Sequence, residues 1–224
     1  MRYGILSDIH ANLEALHAVL EDLRIQGCRH IACLGDIVGY GANPKECLDL
    51  IRGMAIPAVL GNHDEYAAAE TPPAGLRDID VERIAWTRAQ LTAADREWLR
   101  GLSPVLSVAD LTLVHATLHN PRSWEYVFEN SSAAASLECQ YTQVCFFGHT
   151  HIPNAFVRDG TGVKGGTYTT LPIEAGKQYF VNVGSVGQPR DGSSQAAYAV
   201  YDSGAQTIEL RRVDSPMKKA RTRI

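Results

Sequence analysis

Hydrophobic and polar positions follow a regular strand–helix–strand order through the first 60 residues. Three short apolar runs bounded by turn residues predict buried β-strands, at residues 2–8, 30–36 and 56–60. Two helices are predicted between them, one that follows Asn12 and ends at Gly27 and one near 44–54 after Asn43. This alternation predicts a parallel sheet with helices packed on its faces.

The remainder of the chain divides into a helical part and a strand-rich part. Residues 65–103 contain helical patterns at roughly 80–91 and 93–100, which we interpret as a helical insertion beside the sheet. Further elements are predicted in order along the chain: strands at 104–108, 111–115 and 144–147, a short helix at 131–140, and strands at 154–158, 163–170, 179–183, 195–201 and 206–212. The last five strands predict a second, largely antiparallel sheet. The predicted fold class is therefore α/β, a two-sheet β-sandwich flanked by helices, in a single domain over residues 1–224.

Composition narrows the classes of function. A net charge of −4 provides no electrostatic attraction to a nucleic-acid polymer or an anionic membrane. We expect neither a transmembrane helix nor a signal peptide. The five cysteines have no paired spacing, which is typical of buried thiols in a cytoplasmic protein. The basic segment from Pro216 is interpreted as a solvated end without a role.

Several apolar runs end abruptly on side chains that bind metals. The residues concerned are Asp8, His10, Asp36, Asn62, His63, His115, His149 and His151. One such histidine is usually structural, but the D-x-H and H-x-H spacings place two side chains on the same side of an extended segment. If the strands share a sheet, these polar ends meet in one crevice around Asp36. Carboxylate, amide and imidazole donors without thiolates favour manganese, iron, zinc or cobalt over a structural zinc site.

These motifs, in this order over residues 8–151, resemble those of the calcineurin-like metallophosphoesterase family. The matching segments are Asp8-Ile9-His10, Gly35-Asp36-Ile37-Val38, Gly61-Asn62-His63-Asp64, the lone His115, and Gly148-His149-Thr150-His151. Residues 182–190 are also similar to small bacterial and archaeal phosphoesterases of this family. The resemblance covers about two thirds of the chain and implies the αββα fold of that family.

The resemblance implies two divalent metal ions that share Asp36 as a bridging ligand. Candidates for the ions are Mn, Fe, Zn, Co and Ni, with Mn favoured. The implied ligands are Asp8, His10 and His151 for one ion and Asn62, His115 and His149 for the other. A metal-bridging hydroxide would then attack the phosphorus in line. His63 would protonate the leaving alkoxide or stabilise charge there.

The sequence departs from the phosphoprotein phosphatase branch at Gly39, Tyr40 and Gly41, where that branch has Asp-Arg-Gly. Without the arginine, a dianionic monoester loses a bidentate partner, so we expect a phosphodiesterase acting on small nucleotide-type substrates. A phosphomonoesterase or phosphoprotein phosphatase is the alternative within enzymes, and a non-catalytic protein-interaction scaffold is the alternative outside them. The group that orients His63, either Asp64 or part of the substrate, is left open.

The remaining expectations concern partners. His119 follows His115 by four residues and is a candidate substrate-binding residue. The expected partner is a small-molecule phosphoester, with no nucleic-acid polymer and no membrane. An oligomer is compatible with the sequence.

Overall fold

The computed structural model describes residues 1–71 and 73–215, so the basic segment from Pro216 lies outside the described residues. The strands are β1 (Arg2–Leu6), β2 (His30–Cys33), β3 (Val105–Val108), β4 (Leu111–Val114), β5 (Val144–Phe147), β6 (Asn154–Asp159), β7 (Gly162–Gly166), β8 (Thr170–Pro172), β9 (Gln178–Asn182), β10 (Ala196–Asp202) and β11 (Thr207–Val213). The helices are α1 (Leu13–Ile25), α2 (Pro44–Gly53), α3 (Asn62–Ala68), α4 (Asp78–Gln90), α5 (Ala93–Arg100) and α6 (Asn130–Glu138).

The strands form two mixed sheets. The first sheet has the order β2-β1-β10-β11-β8, and only β1 and β2 run parallel in it. The second sheet has the order β3-β4-β5-β9-β6-β7, with β4, β5 and β9 parallel to one another. The sheets are therefore interleaved along the chain.

Alternation along the strands produces three hydrophobic layers. Inward residues of both sheets, such as Ile5 and Phe146, pack together between the sheets. Leu6 and Tyr198 of the first sheet pack on the other face against helices α1 and α2. Phe147 of the second sheet packs outward in a cluster that includes residues of α6. These layers confirm the predicted two-sheet sandwich flanked by helices.

The assignment of strands to sheets was wrong in one respect. The late strands β8, β10 and β11 complete the first sheet, and β4 and β5 lie in the second. Strand β10 pairs antiparallel with β1 across nearly the whole chain, with Arg2 opposite Asp202. Periodicity indicates that a segment is a strand but contains no information about its partner.

Two local predictions also need correction. Residues 56–60 form isolated parallel bridges, Cys33 with Ala58 and Val59 with Ser103, and no continuous strand. Pro57 has no N–H to donate to a ladder, which limits pairing there. Helix α3 begins at Asn62, in a stretch for which no helix was predicted. Among the described residues, no helix combines the length and apolar character needed to cross a bilayer.

Candidate metal centre

The polar ends of the strands meet in one buried crevice. Three groups of donors have ligand atoms within 4.8 Å of one another: Asp8, His10 and His151; His10, Asp36 and His63; and Asp36, His115 and His149. All seven of these side chains except His63 are buried, as is the adjacent Asn62. The structure therefore brings together the eight polar residues singled out at the strand ends.

The main chain is bent sharply at these positions. Asp8, His10, Asp36, His149 and His151 all have φ between 47° and 64°. A residue other than glycine pays about 1–2 kcal/mol for this left-handed conformation. Hydrogen bonds hold the bends, including Asp8 N–H to Gly35 O at 3.1 Å and His10 N–H to Asp36 O at 2.9 Å. Five such residues in one crevice are typical of a functional site.

Two glycines of the motifs are required by close approach of the carboxylates. A Cβ atom at Gly61 would collide with the Asp36 carboxylate, and one at Gly148 would collide with Ser7 and the Asp8 carboxylate. The neighbouring amides then reach the carboxylates: His63 N–H donates to Asp36 Oδ1 at 2.8 Å and His149 N–H donates to Asp8 Oδ2 at 3.0 Å. Each carboxylate keeps its other oxygen for the crevice.

Backbone carbonyls hold one ring nitrogen of four of the five donor histidines, all except His63. The pairs are His10 Nδ1 with Val38 O at 3.3 Å, His115 Nδ1 with Leu34 O at 2.7 Å, His149 Nε2 with Trp124 O at 2.9 Å, and His151 Nδ1 with Gln188 O at 2.6 Å. A nitrogen bonded to a carbonyl must carry the proton, which leaves the other nitrogen as an acceptor. In its neutral form, each of the four rings is thus oriented to offer a lone pair to the crevice.

Residues 182–190 support two of the motifs from behind. Ser185 Oγ donates to Asp8 O at 2.8 Å, and Gly187 N–H donates to the same oxygen at 2.9 Å. Asn182 Nδ2 donates to Thr150 Oγ1, between His149 and His151, at 3.0 Å. This segment therefore fixes the turns that present Asp8 and both late histidines.

The ionisable groups of the crevice strongly shift one another's pKa values. Burial alone would raise the pKa of Asp36, but His115 and His63 hold it well below its usual range. Burial likewise opposes protonation of His115, yet Asp36, whose Oδ2 lies 3.4 Å from His115 Nε2, raises the pKa of His115 to about 9. Burial, with His115 nearby, lowers the pKa of His149 to about 4. The carboxylates are thus held as anions that attract positive charge.

Unsatisfied polar atoms test whether a metal fits. Asp8 Oδ1, Asn62 Oδ1 and His115 Nε2 are buried and have no hydrogen-bond partner among the described residues. Buried polar atoms without partners are uncommon in proteins, and three of them in one crevice are what a bound ion would satisfy. Oxygen and imidazole donors at this spacing suit a divalent cation. The residues present fit a metal centre.

His63 is oriented by aromatic packing. Its ring centroid lies 4.4 Å from that of Tyr40, and a Cβ at Gly39 would come within 2.6 Å of His63 Nδ1. Asp64 is engaged elsewhere: its Oδ1 accepts from Ile37 N–H at 2.9 Å, so it holds the loop after Asp36. Gly39 and Tyr40, two of the three residues in place of Asp-Arg-Gly, therefore pack against His63.

Sequence reasoning missed Trp124. Its carbonyl accepts from His149, its ring packs edge-on to His115 with centroids 5.8 Å apart, and its Nε1–H donates to Glu65 Oε2 at 3.0 Å. Its φ of 55° was not visible in the sequence, although a tryptophan close after His115 in the chain was available as a weak signal. The candidate His119 lies outside the donor groups, with its Nε2 3.4 Å from Glu125 Oε2.

A cavity of about 370 Å³ opens beside the donors. It is bounded by Asn62, His63 and His149 from the crevice, by the aromatic residues Tyr40, Tyr66, Trp124 and Tyr126, and by Arg77, which caps the start of α4, with Asp80 and Arg83 of that helix. This volume falls in the range of small-molecule sites. His119 is not among the residues that line it.

Fold and donor arrangement together define a metallophosphoesterase-type αββα protein. Residues 1–205 match the calcineurin-like phosphoesterase superfamily domain. The chain belongs to this family, which confirms the resemblance seen in the motifs.

Individual relatives agree with this assignment. An uncharacterized protein of Methanocaldococcus jannaschii is 36% identical over 227 residues, covering 99% of this chain and 90% of the relative. The crystal structure of a metallophosphoesterase from Sphaerobacter thermophilus is similar with a TM-score of 0.86 and 34% identity, covering 99% of this chain and 91% of that one. A hypothetical protein from Pyrococcus horikoshii shares the fold, with a TM-score of 0.80 at 21% identity over 100% of this chain and 92% of that one.

Proposed function

We propose that this protein is a dimetal phosphoesterase that hydrolyses phosphodiesters of small nucleotide-type molecules. The observation that carries the proposal is the position of Asp36. Its Oδ2 lies 3.6 Å from His10 Nε2 and 3.4 Å from His115 Nε2, so one carboxylate joins two groups of donors. A shared carboxylate between two donor groups is the arrangement that a pair of cations requires.

In this proposal the donors divide into two sets around Asp36. Asp8, His10 and His151 hold one cation, and Asn62, His115 and His149 hold the other. Mn²⁺ is the favoured ion, because mixed oxygen and imidazole donors without thiolates suit it, with Fe, Zn, Co and Ni as alternatives. The cations, when bound, would activate a water nucleophile and offset charge on the phosphoryl oxygens.

The protein's own residues position the ester and move one proton. As the new oxygen–phosphorus bond forms and the ester bond breaks, the leaving oxygen gains negative charge. His63, half-buried at the cavity wall, donates a proton to that oxygen. Tyr40 keeps the His63 ring in place by packing against it.

Preference for a diester is supported by the residues around His63. Gly39, Tyr40 and Gly41 provide no guanidinium to grip the extra charge of a monoester. The aromatic residues of the cavity, among them Tyr66 and Tyr126, suit a planar base. Both features favour a small nucleotide-type diester over a phosphoprotein.

Metal analysis followed by a phosphoester panel tests the proposal. We expect about two divalent ions per chain. With Mn²⁺ supplied, a bis-aryl phosphate should be hydrolysed faster than its mono-aryl counterpart. Clear preference for the monoester would make the protein a phosphomonoesterase, and bound metal without any turnover would favour a protein-interaction scaffold.

The cysteine content supports a proposal for the cellular compartment. The five unpatterned cysteines suit a reducing compartment, and we propose the cytoplasm as its location. The proposed partner is a small phosphoester.

A further inference from the structure

Helix α4 contributes positive charge to the cavity, away from the strand ends. Arg77 and Arg83 both line the cavity, and Asp80 lies between them in the sequence. Asp80 Oδ2 accepts from Arg77 Nε at 2.7 Å, and Asp80 Oδ1 lies 3.5 Å from Arg83 Nη1. Two guanidinium groups thus share one carboxylate, which leaves a net positive charge on this wall.

Arg83 is the less firmly paired of the two arginines. Its distance of 3.5 Å to Asp80 is longer than a charge-assisted hydrogen bond, whereas Arg77 makes a short one. Its guanidinium carbon lies over the ring of Tyr40, 5.9 Å from the centroid, and its side chain is 51% exposed. A guanidinium has five N–H donors, so most of those of Arg83 are available to a ligand in the cavity.

Tyr40 connects this arginine to the metal centre. The Tyr40 ring contacts His63 and His10, with centroid distances of 4.4 and 4.8 Å. The cavity is larger than a phosphoryl group needs, so a diester held at the donors would extend an arm past Tyr40 toward α4. Apart from the donor histidines, the charged side chains that line this cavity are Arg77, Asp80 and Arg83.

We propose that Arg83 is a specificity-determining residue that binds a second anionic group, such as a terminal phosphate, on one arm of the phosphodiester substrate. The preferred substrate is then a small nucleotide-type diester that also carries a non-reacting phosphate. This inference rests on the proposed function. It assigns Arg83 to the substrate and leaves the chemistry to the strand-end donors.

Two dinucleotides that differ only in a terminal phosphate, pApA and ApA, test this inference with the Mn²⁺-loaded protein. We expect the wild type to show a kcat/KM about tenfold higher for pApA than for ApA. A partly exposed hydrogen bond between a guanidinium and a phosphate strengthens binding by about this factor. Arg83→Gln should remove the difference and leave ApA and a bis-aryl phosphate unchanged. Asp80→Asn should increase the preference for pApA, because it releases both guanidinium groups.

Arg24→Gln is the matched control, because Arg24 also pairs with an acidic residue three positions away on its own helix and lies outside the cavity. It should retain the wild-type preference. Equal kcat/KM of the wild type for the two dinucleotides would overturn the inference. So would an Arg83→Gln variant that loses activity equally on all three substrates.

Failure of the proposed function would be visible separately, as no turnover of any diester, including the bis-aryl phosphate. Calorimetric dissociation constants for pApA and ApA then decide on Arg83 by themselves. Tighter binding of pApA that disappears in Arg83→Gln supports the inference, and equal binding overturns it.

Discussion

The donor crevice and the wall that α4 adds to the cavity are built differently. Asp36 and His115 are fully buried, follow strand ends, and are held by hydrogen bonds to the main chain. Arg77 at the cap of α4 and Arg83 within it have side chains that are 77% and 51% exposed. The donors of the crevice are fixed by the main chain around them, whereas the residues on the helical wall can be replaced without disturbing the sheets.

Asp36→Ala should have the largest effect, because it removes the carboxylate that both donor groups share. We expect most of the bound metal to be lost. Loss of a residue that only supports a metal ligand typically lowers activity about 10–100-fold, and Asp36→Ala should lower it further. Metal analysis and turnover of a bis-aryl phosphate measure the two losses. Retention of two ions per chain would contradict the division of donors around Asp36.

His63→Ala should separate proton transfer from metal binding. Turnover is expected to fall about 10²–10⁴-fold, the range for loss of a general acid, while metal content stays near that of the wild type. The same metal analysis serves as the control. Metal loss as large as in Asp36→Ala would show that His63 is itself a ligand.

Glu65→Ala should weaken one half of the crevice through Trp124. Glu65 accepts from Trp124 Nε1–H and pairs with Arg122 at 3.1 Å, and the Trp124 carbonyl in turn holds His149. Metal affinity at the His115 and His149 side should fall about tenfold or more, measured by metal titration.

Two further variants sharpen this test of the positioning role. Glu65→Gln keeps an acceptor for Trp124 and should retain most of the affinity. Glu97→Ala removes an exposed acid of α5 that pairs only locally with Arg100, so it should bind metal as the wild type does. Equal loss in Glu65→Gln and Glu65→Ala would point to charge alone.

Asp22→Asn should have the smallest effect and no effect on activity, because Asp22 lies in a polar cluster remote from the donors. Asp22 accepts from Tyr198 Oη at 2.7 Å and pairs with Arg211 at 3.3 Å. Burial alone would raise the pKa of Asp22, but these hydrogen bonds lower it on balance. Denaturant unfolding at pH 7 should show a loss of about 1 kcal/mol.

The pH dependence of that difference follows from the lowered pKa of Asp22. A carboxyl group whose pKa is lower in the folded state stabilises the protein fully above its unfolded pKa, about 3.9. The stabilisation is lost as the pH falls through the folded pKa. The difference between wild type and Asp22→Asn should therefore shrink below about pH 4, and a constant difference would assign the effect to packing.

A structural feature could be predicted from the sequence when the residues that specify it lie close together in the chain. Donor motifs such as Asp8-x-His10 are local, since an apolar strand and the bend that follows it are written in consecutive residues. Pairing of β1 with β10 joins residues about 200 positions apart, and no periodicity specifies it. For the same reason the contact of Trp124 with Glu65, 59 residues away, could not be anticipated.

The sequence by itself determined most of the strand and helix segments, with residues 56–60 and helix α3 as exceptions, together with the layered fold class and the donor residues. Local patterns suffice for these, because burial periodicity and turn chemistry act within a few residues. Only the tertiary structure decided which strands share a sheet, how Tyr40 packs on His63, and that α4 brings Arg83 to the cavity. Those outcomes depend on packing between distant segments, whose free energy no single stretch of sequence contains.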